Sequence, residues 1–125
     1  TVPSPQTTQN VSISTFTATD NVAVTGYLVN ESAATPSASD PNWSGTAPAT
    51  YNVGSDGTKT LYAWAKDGAG NVSSSMSATV TVDSTGPSVT STVPANGAVD
   101  VNPDSSVTIN WNEAVDCATV TTSTV

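Results

Sequence analysis

Histidine and arginine are absent from this chain, and lysine occurs twice. Without His, neither a Ser-His-Asp nor a Cys-His arrangement can form within it. Without Arg, phosphoryl transfer lacks its usual electrostatic clamps. Nucleic acid lacks the basic cluster that neutralises its phosphates. An anionic membrane surface finds no polybasic segment to attract. The single Cys117 makes no internal disulfide, and without His or further Cys a zinc site has no ligand set. It reads either as a buried small hydrophobe or as an exposed thiol. No apolar run approaches the roughly 20 residues of a membrane helix, so membrane insertion is not expected. There is no signal-like leader, and the opening TVPSPQ reads as the start of a mature or excised piece. No window of useful length has helical periodicity.

What remains is acidic, polar and β-prone. Eight Asp and two Glu against two Lys give a formal charge of −8. Ser and Thr supply 40 of the 125 residues, and the Thr share favours strands. Short β-rich runs alternate with Gly, Pro, Asn, Asp and Ser clusters, the pattern of an all-β sandwich. Strands are expected near Val11–Phe16, Val24–Asn30, Thr50–Val53, Thr58–Lys66 and Val72–Val82. A second series begins near Ser88–Val93 and Val107–Trp111. The length fits one sandwich of about 100 residues plus a remainder.

The run 58–66 shows its faces best. Leu61, Ala63 and Ala65 share one side, and Tyr62, Trp64 and Lys66 the other. The small aliphatic side is expected in the core, leaving Tyr62 and Trp64 on the outer face. Ser55-Asp56-Gly57 and Asp67-Gly68-Ala69-Gly70-Asn71 mark the turns before and after. Glu31–Pro48 reads as a loop crossing between sheets, with Trp43 as its anchor. Asp83–Pro87 reads as a joint, after which a new unit opens with the turn Pro94-Ala95-Asn96-Gly97.

Three stretches, TFTATDNVAVTGYLVNES, TLYAWAKDGAGNVS and TVTVDSTGP, resemble the bacterial Ig-like repeats of large adhesins and surface proteins. The resemblance runs from Val11 to about Asp83. The following STVPANGAVDVNPDSSVTINWNEAVD is similar to the opening of another bacterial Ig-like repeat, of the kind found in S-layer proteins. The resemblance implies an Ig-like or fibronectin-III-like antiparallel β-sandwich over 1–84 and a partial second Ig-like unit over 85–125. Two departures stand out. The segment Thr1–Asn10 matches a first strand poorly, so an edge strand is expected to be missing, and the second unit stops before its later strands.

Among groups that carry chemistry, paired carboxylates remain open, but no pair has a spacing or setting that singles it out for acid–base work. Calcium takes Asp and Asn oxygens and backbone carbonyls. In related adhesin repeats such residues bind calcium and stiffen the rod, and the resemblance puts that role on Asp20, Asp67, Asn71 and Asp83. The same residues equally suit turns, where they cap backbone groups. Trp43, Tyr62 and Trp64 are candidates for a glycan-stacking platform, against the plainer reading that they shield the sheet or pack under a long loop. Four Asn-x-Ser sequons are no more than this Ser/Thr content yields by chance.

The leading expectation is a non-enzymatic structural repeat, extracellular or at a bacterial cell surface, whose partners are neighbouring Ig-like repeats or copies of itself. One alternative is a filament subunit completed by strand exchange. Another is a carbohydrate-binding accessory module.

Overall fold

The computed structural model describes residues 1–116. The chain divides into two compact units, Thr1–Ser84 and Thr85–Val125.

The first unit holds five strands: β1 (Asn10–Ser12), β2 (Val24–Asn30), β3 (Thr50–Asn52), β4 (Gly57–Asp67) and β5 (Met76–Val82). They form two antiparallel sheets, β1–β3 and β2–β4–β5. The eleven-residue β4 is the central strand. Its register sets Leu28 opposite Trp64, and Leu61 opposite Ala78. Val11 and Val53 meet Leu61, Val80 and Val82 in one buried cluster, so side chains from the β1–β3 side and from β4–β5 close a sandwich core. The loop 31–48 leaves β2 in one sheet and enters β3 in the other, which is the crossing expected of it.

The expected strands differ from the observed ones in two places, each with a local cause. The first strand stops at Ser12 rather than Phe16. Ile13 still donates to Ala49, but the Ser14 and Thr15 amides turn to the Thr1 carbonyl. The last strand begins at Met76 rather than Val72. The hydroxyl of Ser73 accepts the Ala65 amide at 3.0 Å while the Ser73 amide donates to the Ala65 carbonyl, so only an isolated bridge between Lys66 and Val72 forms there.

The larger correction concerns the outer face of β4. Trp64 does share a face with Tyr62 and Lys66, but it is 2 % exposed. Its partner Leu28 is equally buried. The loop 31–48 crosses this face and is fastened to it. The amides and carbonyls of Tyr27 and Ser44 exchange two hydrogen bonds at 2.8 and 2.9 Å. The Lys66 ammonium donates to the Ala38 carbonyl at 2.7 Å and lies 5.1 Å from the Trp43 ring centroid. Trp43 donates through Nε1 to the Ser37 carbonyl. The sheet β2–β4–β5 is therefore covered on both faces, by the sandwich core on one and by its own crossover loop on the other.

Gly26 makes that close approach possible. A Cβ there would stand 2.8 Å from two carbons of Lys66 and 3.2 Å from the Trp43 ring. Gly26→Val is expected to lift the Lys66 stem off the sheet and cost about 1–3 kcal/mol by overpacking, checked by urea unfolding.

The second unit has one described antiparallel pair, β6 (Val89–Val93) and β7 (Thr108–Trp111). Asn112 and Ser88 tie its open end, the Asn112 amide to the Ser88 carbonyl and the Ser88 amide to Asn112 Oδ1. No described residue of this unit is buried. Val89, Val93, Val99 and Val107 are at least half exposed. Cys117 lies outside the described residues.

Candidate functional site

The acids singled out for calcium do not converge. Asp20 spends Oδ2 on the amides of Val22 and Ala23, at 2.9 and 3.1 Å, shaping the entry to β2. Asp83 continues β5 through its amide, which donates to the Gln6 carbonyl. Only Asp67 and Asn71 come together, within one turn. Asp67 accepts the amides of Ala69 and Asn71 on Oδ1, each at 2.9 Å, and the Asn71 side-chain amide on Oδ2 at 2.6 Å. Its carboxylate thus closes the Gly-rich turn, where Gly70 holds φ at +92°. Among the described residues no three of His, Cys, Asp and Glu gather as metal ligands. All three donors to the Asp67 carboxylate come from its own turn. A Ca²⁺ concentration of about 1 mM, enough to fill extracellular-type sites, is expected to leave the melting temperature unchanged.

The Asp67 arrangement predicts a pH effect instead. The Asn71 side-chain amide first, then the Asn71, Ala69 and Gly70 amides, hold this carboxyl below its ordinary value of 3.8. A depressed folded value means the turn is favoured above the unfolded pKa and loses that support as pH falls through the folded one. The Ala69 and Asn71 amide resonances are expected to titrate with a midpoint below 3.8, and Asp67→Asn to abolish the step.

The aromatic candidates do not form an open platform. Trp64 is buried, with its Nε1 donating to Asn30 Oδ1 at 3.2 Å. Trp43 is half-buried under the Lys66 head, and Tyr62 is also half-buried. Of these side chains, only Trp64 is withdrawn from the surface.

Two features were not singled out from the sequence. The first is Asp56 in the turn before β4. It accepts the Ser84 amide and hydroxyl at 2.9 and 2.7 Å and the Gln9 side-chain amide at 3.4 Å. It thereby pins the end of β5 to the start of β4. Its Asp-Gly setting signals a turn but not the aim of the carboxylate. The second is a cavity of about 490 Å³ on the sandwich side, with Ala63, Ala65 and Ala78 among its lining residues and Met76 at its rim. The small side chains expected to fill the core instead leave it open at this end.

Residues 83–125 match the family model of the bacterial Ig-like domain. The match takes in the joint and the second unit, where the second resemblance was seen. No curated protein and no solved structure matches the chain. The all-β, antiparallel, Ig-like fold class expected from the sequence agrees with the sheets of the first unit and with this family. Bacterial Ig-like domains of this family occur in bacterial surface proteins.

Proposed function

We propose that the chain is a non-enzymatic structural segment of an extracellular or surface-exposed bacterial protein, in which Ig-like units in series supply spacing and stiffness. The observation that carries this reading is the bacterial Ig-like match at 83–125 directly behind a separate all-β unit. Its physical support lies in the first unit. Polar side chains of this unit are engaged in building the fold: Asp67 closes a turn, Asp56 ties two strands, and Lys66 fastens the crossover loop. Such internal ties suit a module whose work is to stay folded.

Under this reading force enters near one end of the chain and leaves near the other, and the ladders β2–β4 and β4–β5 resist it through cross-strand hydrogen bonds. The test is force spectroscopy of the chain held between marker domains. The first unit is expected to unfold as one event, releasing chain at about 3.3–3.6 Å per residue. A featureless extension without a force peak would contradict a mechanical role. Protease treatment of intact source cells addresses location: release of peptides from this chain is expected, and complete protection would contradict surface exposure.

A further inference from the structure

The turn Pro94-Ala95-Asn96-Gly97 holds the one Asn-Gly pair of the chain. It follows β6 and is closed by the Ala98 amide, which donates to the Ala95 carbonyl at 3.0 Å. Asn96 and Gly97 are its central residues, and both are exposed. Gly97 holds φ at +78°, a conformation natural to glycine. Apart from its chain neighbours, nothing lies within 4 Å of the point where a Cβ on it would stand. The other asparagines are held or hindered. Of the ten in the chain, eight have their side chains in hydrogen bonds. Among the described residues the exceptions are Asn21 and Asn96. Asn21 precedes Val22, whose branched side chain crowds the amide between them and whose N–H is already taken by Asp20 Oδ2 at 2.9 Å. At Asn96, among the described residues, both the side-chain amide and the following Gly97 N–H are free of hydrogen bonds. The two Asp-Gly pairs lack this freedom, since Asp56 is bound to Ser84, and Asp67 to Ala69 and Asn71.

We propose that Asn96 is a site of spontaneous deamidation, a slow covalent change that the fold confines to this one turn. The Gly97 nitrogen gives up its proton and attacks the side-chain carbonyl carbon of Asn96. A C–N bond forms, the bond from that carbon to Nδ2 breaks, and Nδ2 leaves as ammonia, carrying the proton. The product is a cyclic imide. Water then opens it at either carbonyl. Opening at the side-chain carbonyl gives aspartate on the original backbone. Opening at the main-chain carbonyl gives isoaspartate, in which the backbone runs through the former side chain and is one carbon longer. Water is the only co-reactant. Attack needs an uncrowded nitrogen and an amide that swings toward it. Glycine, with no Cβ, supplies the first, and the unheld Asn96 side chain the second. An asparagine engaged elsewhere must first give up a hydrogen bond. Either product adds one negative charge to the formal −8. Isoaspartate also lengthens the turn, so the bond from the Ala98 amide to the Ala95 carbonyl loses its geometry. The change accumulates with the age of the chain. This inference stands apart from the mechanical reading, which requires no modification.

The test is to age the full chain in mildly alkaline buffer and follow each asparagine by peptide mapping with mass spectrometry. Asn96 is expected to convert to a mixture of aspartate and isoaspartate, while Asn21, Asn52 and Asn71 keep their amides. Isoelectric focusing should show a single more acidic band growing in step. Methylation by an isoaspartyl methyltransferase should mark the isoaspartate share. A parallel sample unfolded in guanidinium chloride separates the motif from its setting. Because the native turn leaves the pair free, the folded chain is expected to convert at Asn96 within about tenfold of the unfolded rate. Asn96→Gln should abolish the acidic band. Gly97→Ala, which crowds the attacking nitrogen, should slow conversion at least about tenfold. Both changes lie in an exposed turn and leave the first unit untouched. An Asn96 that stays intact in the folded chain while the unfolded chain converts overturns the proposal, since the turn then protects it. So does equal conversion of Asn21 and Asn96 in the folded chain, or an acidic band that Asn96→Gln leaves in place.

Discussion

Trp64→Ala is expected to destabilise the first unit by about 3–5 kcal/mol, the cost of deleting a buried large aromatic. Trp64 is 2 % exposed although it lies on the face of β4 turned away from the sandwich core. Its neighbour across the ladder, Leu28, is just as buried. The indole therefore sits inside a second apolar layer, roofed by a loop that Lys66, Trp43 and Ser44 fasten down. Removing it takes away burial and leaves a space that this roof, tied at three points, fills poorly. No buried acceptor is orphaned, because Asn30 Oδ1 also receives the Ser32 amide. The loss is therefore one of packing. For a domain of this size it lowers the melting midpoint by at least about 12 °C. Urea unfolding with an unchanged slope checks it, and a loss under about 1 kcal/mol would mean the loop does not hold Trp64 out of water.

Leu61→Ala is the next largest expectation, at about 2–3 kcal/mol, the low end for a buried leucine. Leu61 is 3 % exposed and belongs to the cluster of Val11, Val53, Val80 and Val82. It also lines the open cavity. A void made there merges with space that solvent already reaches, so the residual-cavity penalty is small. Trp64→Ala should thus cost more than Leu61→Ala, although Leu61 faces the nominal core. The reverse order in paired unfolding curves would place the main apolar layer between the two sheets alone.

Much of the fold was legible because strand faces follow a period of two. The run Val24–Asn30 came out with its observed bounds, and the alternation in 58–66 sorted Leu61 from Trp64 correctly. What alternation cannot report is what lies above a face. The roof over Trp64 is a loop of Ser, Ala, Pro and Asp whose composition signals exposure. It covers the sheet through backbone carbonyls, one tryptophan and a lysine stem, groups that carry no periodic signal. The open cavity escaped for the converse reason: Ala63 and Ala65 mark a face but not whether anything fills the space above it.

The site residues followed the same pattern. Asp20 and Asp67 were legible as turn formers because Asx side chains bond backbone amides two to four residues on, and Asn71 closes the second turn by donating its side-chain amide to Asp67. The calcium role placed on them rested on resemblance, and the carboxylate of Asp67 is already engaged by donors of its own turn. The link from Asp56 to Ser84 spans 28 residues, and no local pattern encodes a contact of that separation.

The central claim is that the crossover loop makes a second buried layer, so that the apparent outer face of the sheet is interior. Fluorine NMR of the chain labelled with 5-fluorotryptophan tests it most directly. Three resonances are expected, for Trp43, Trp64 and Trp111, assigned by single Trp→Phe variants. The account predicts that on exchange from H₂O to D₂O the Trp64 resonance stays in place while that of Trp111, 38 % exposed, moves. A solvent shift at Trp64 as large as that at Trp111 would contradict it.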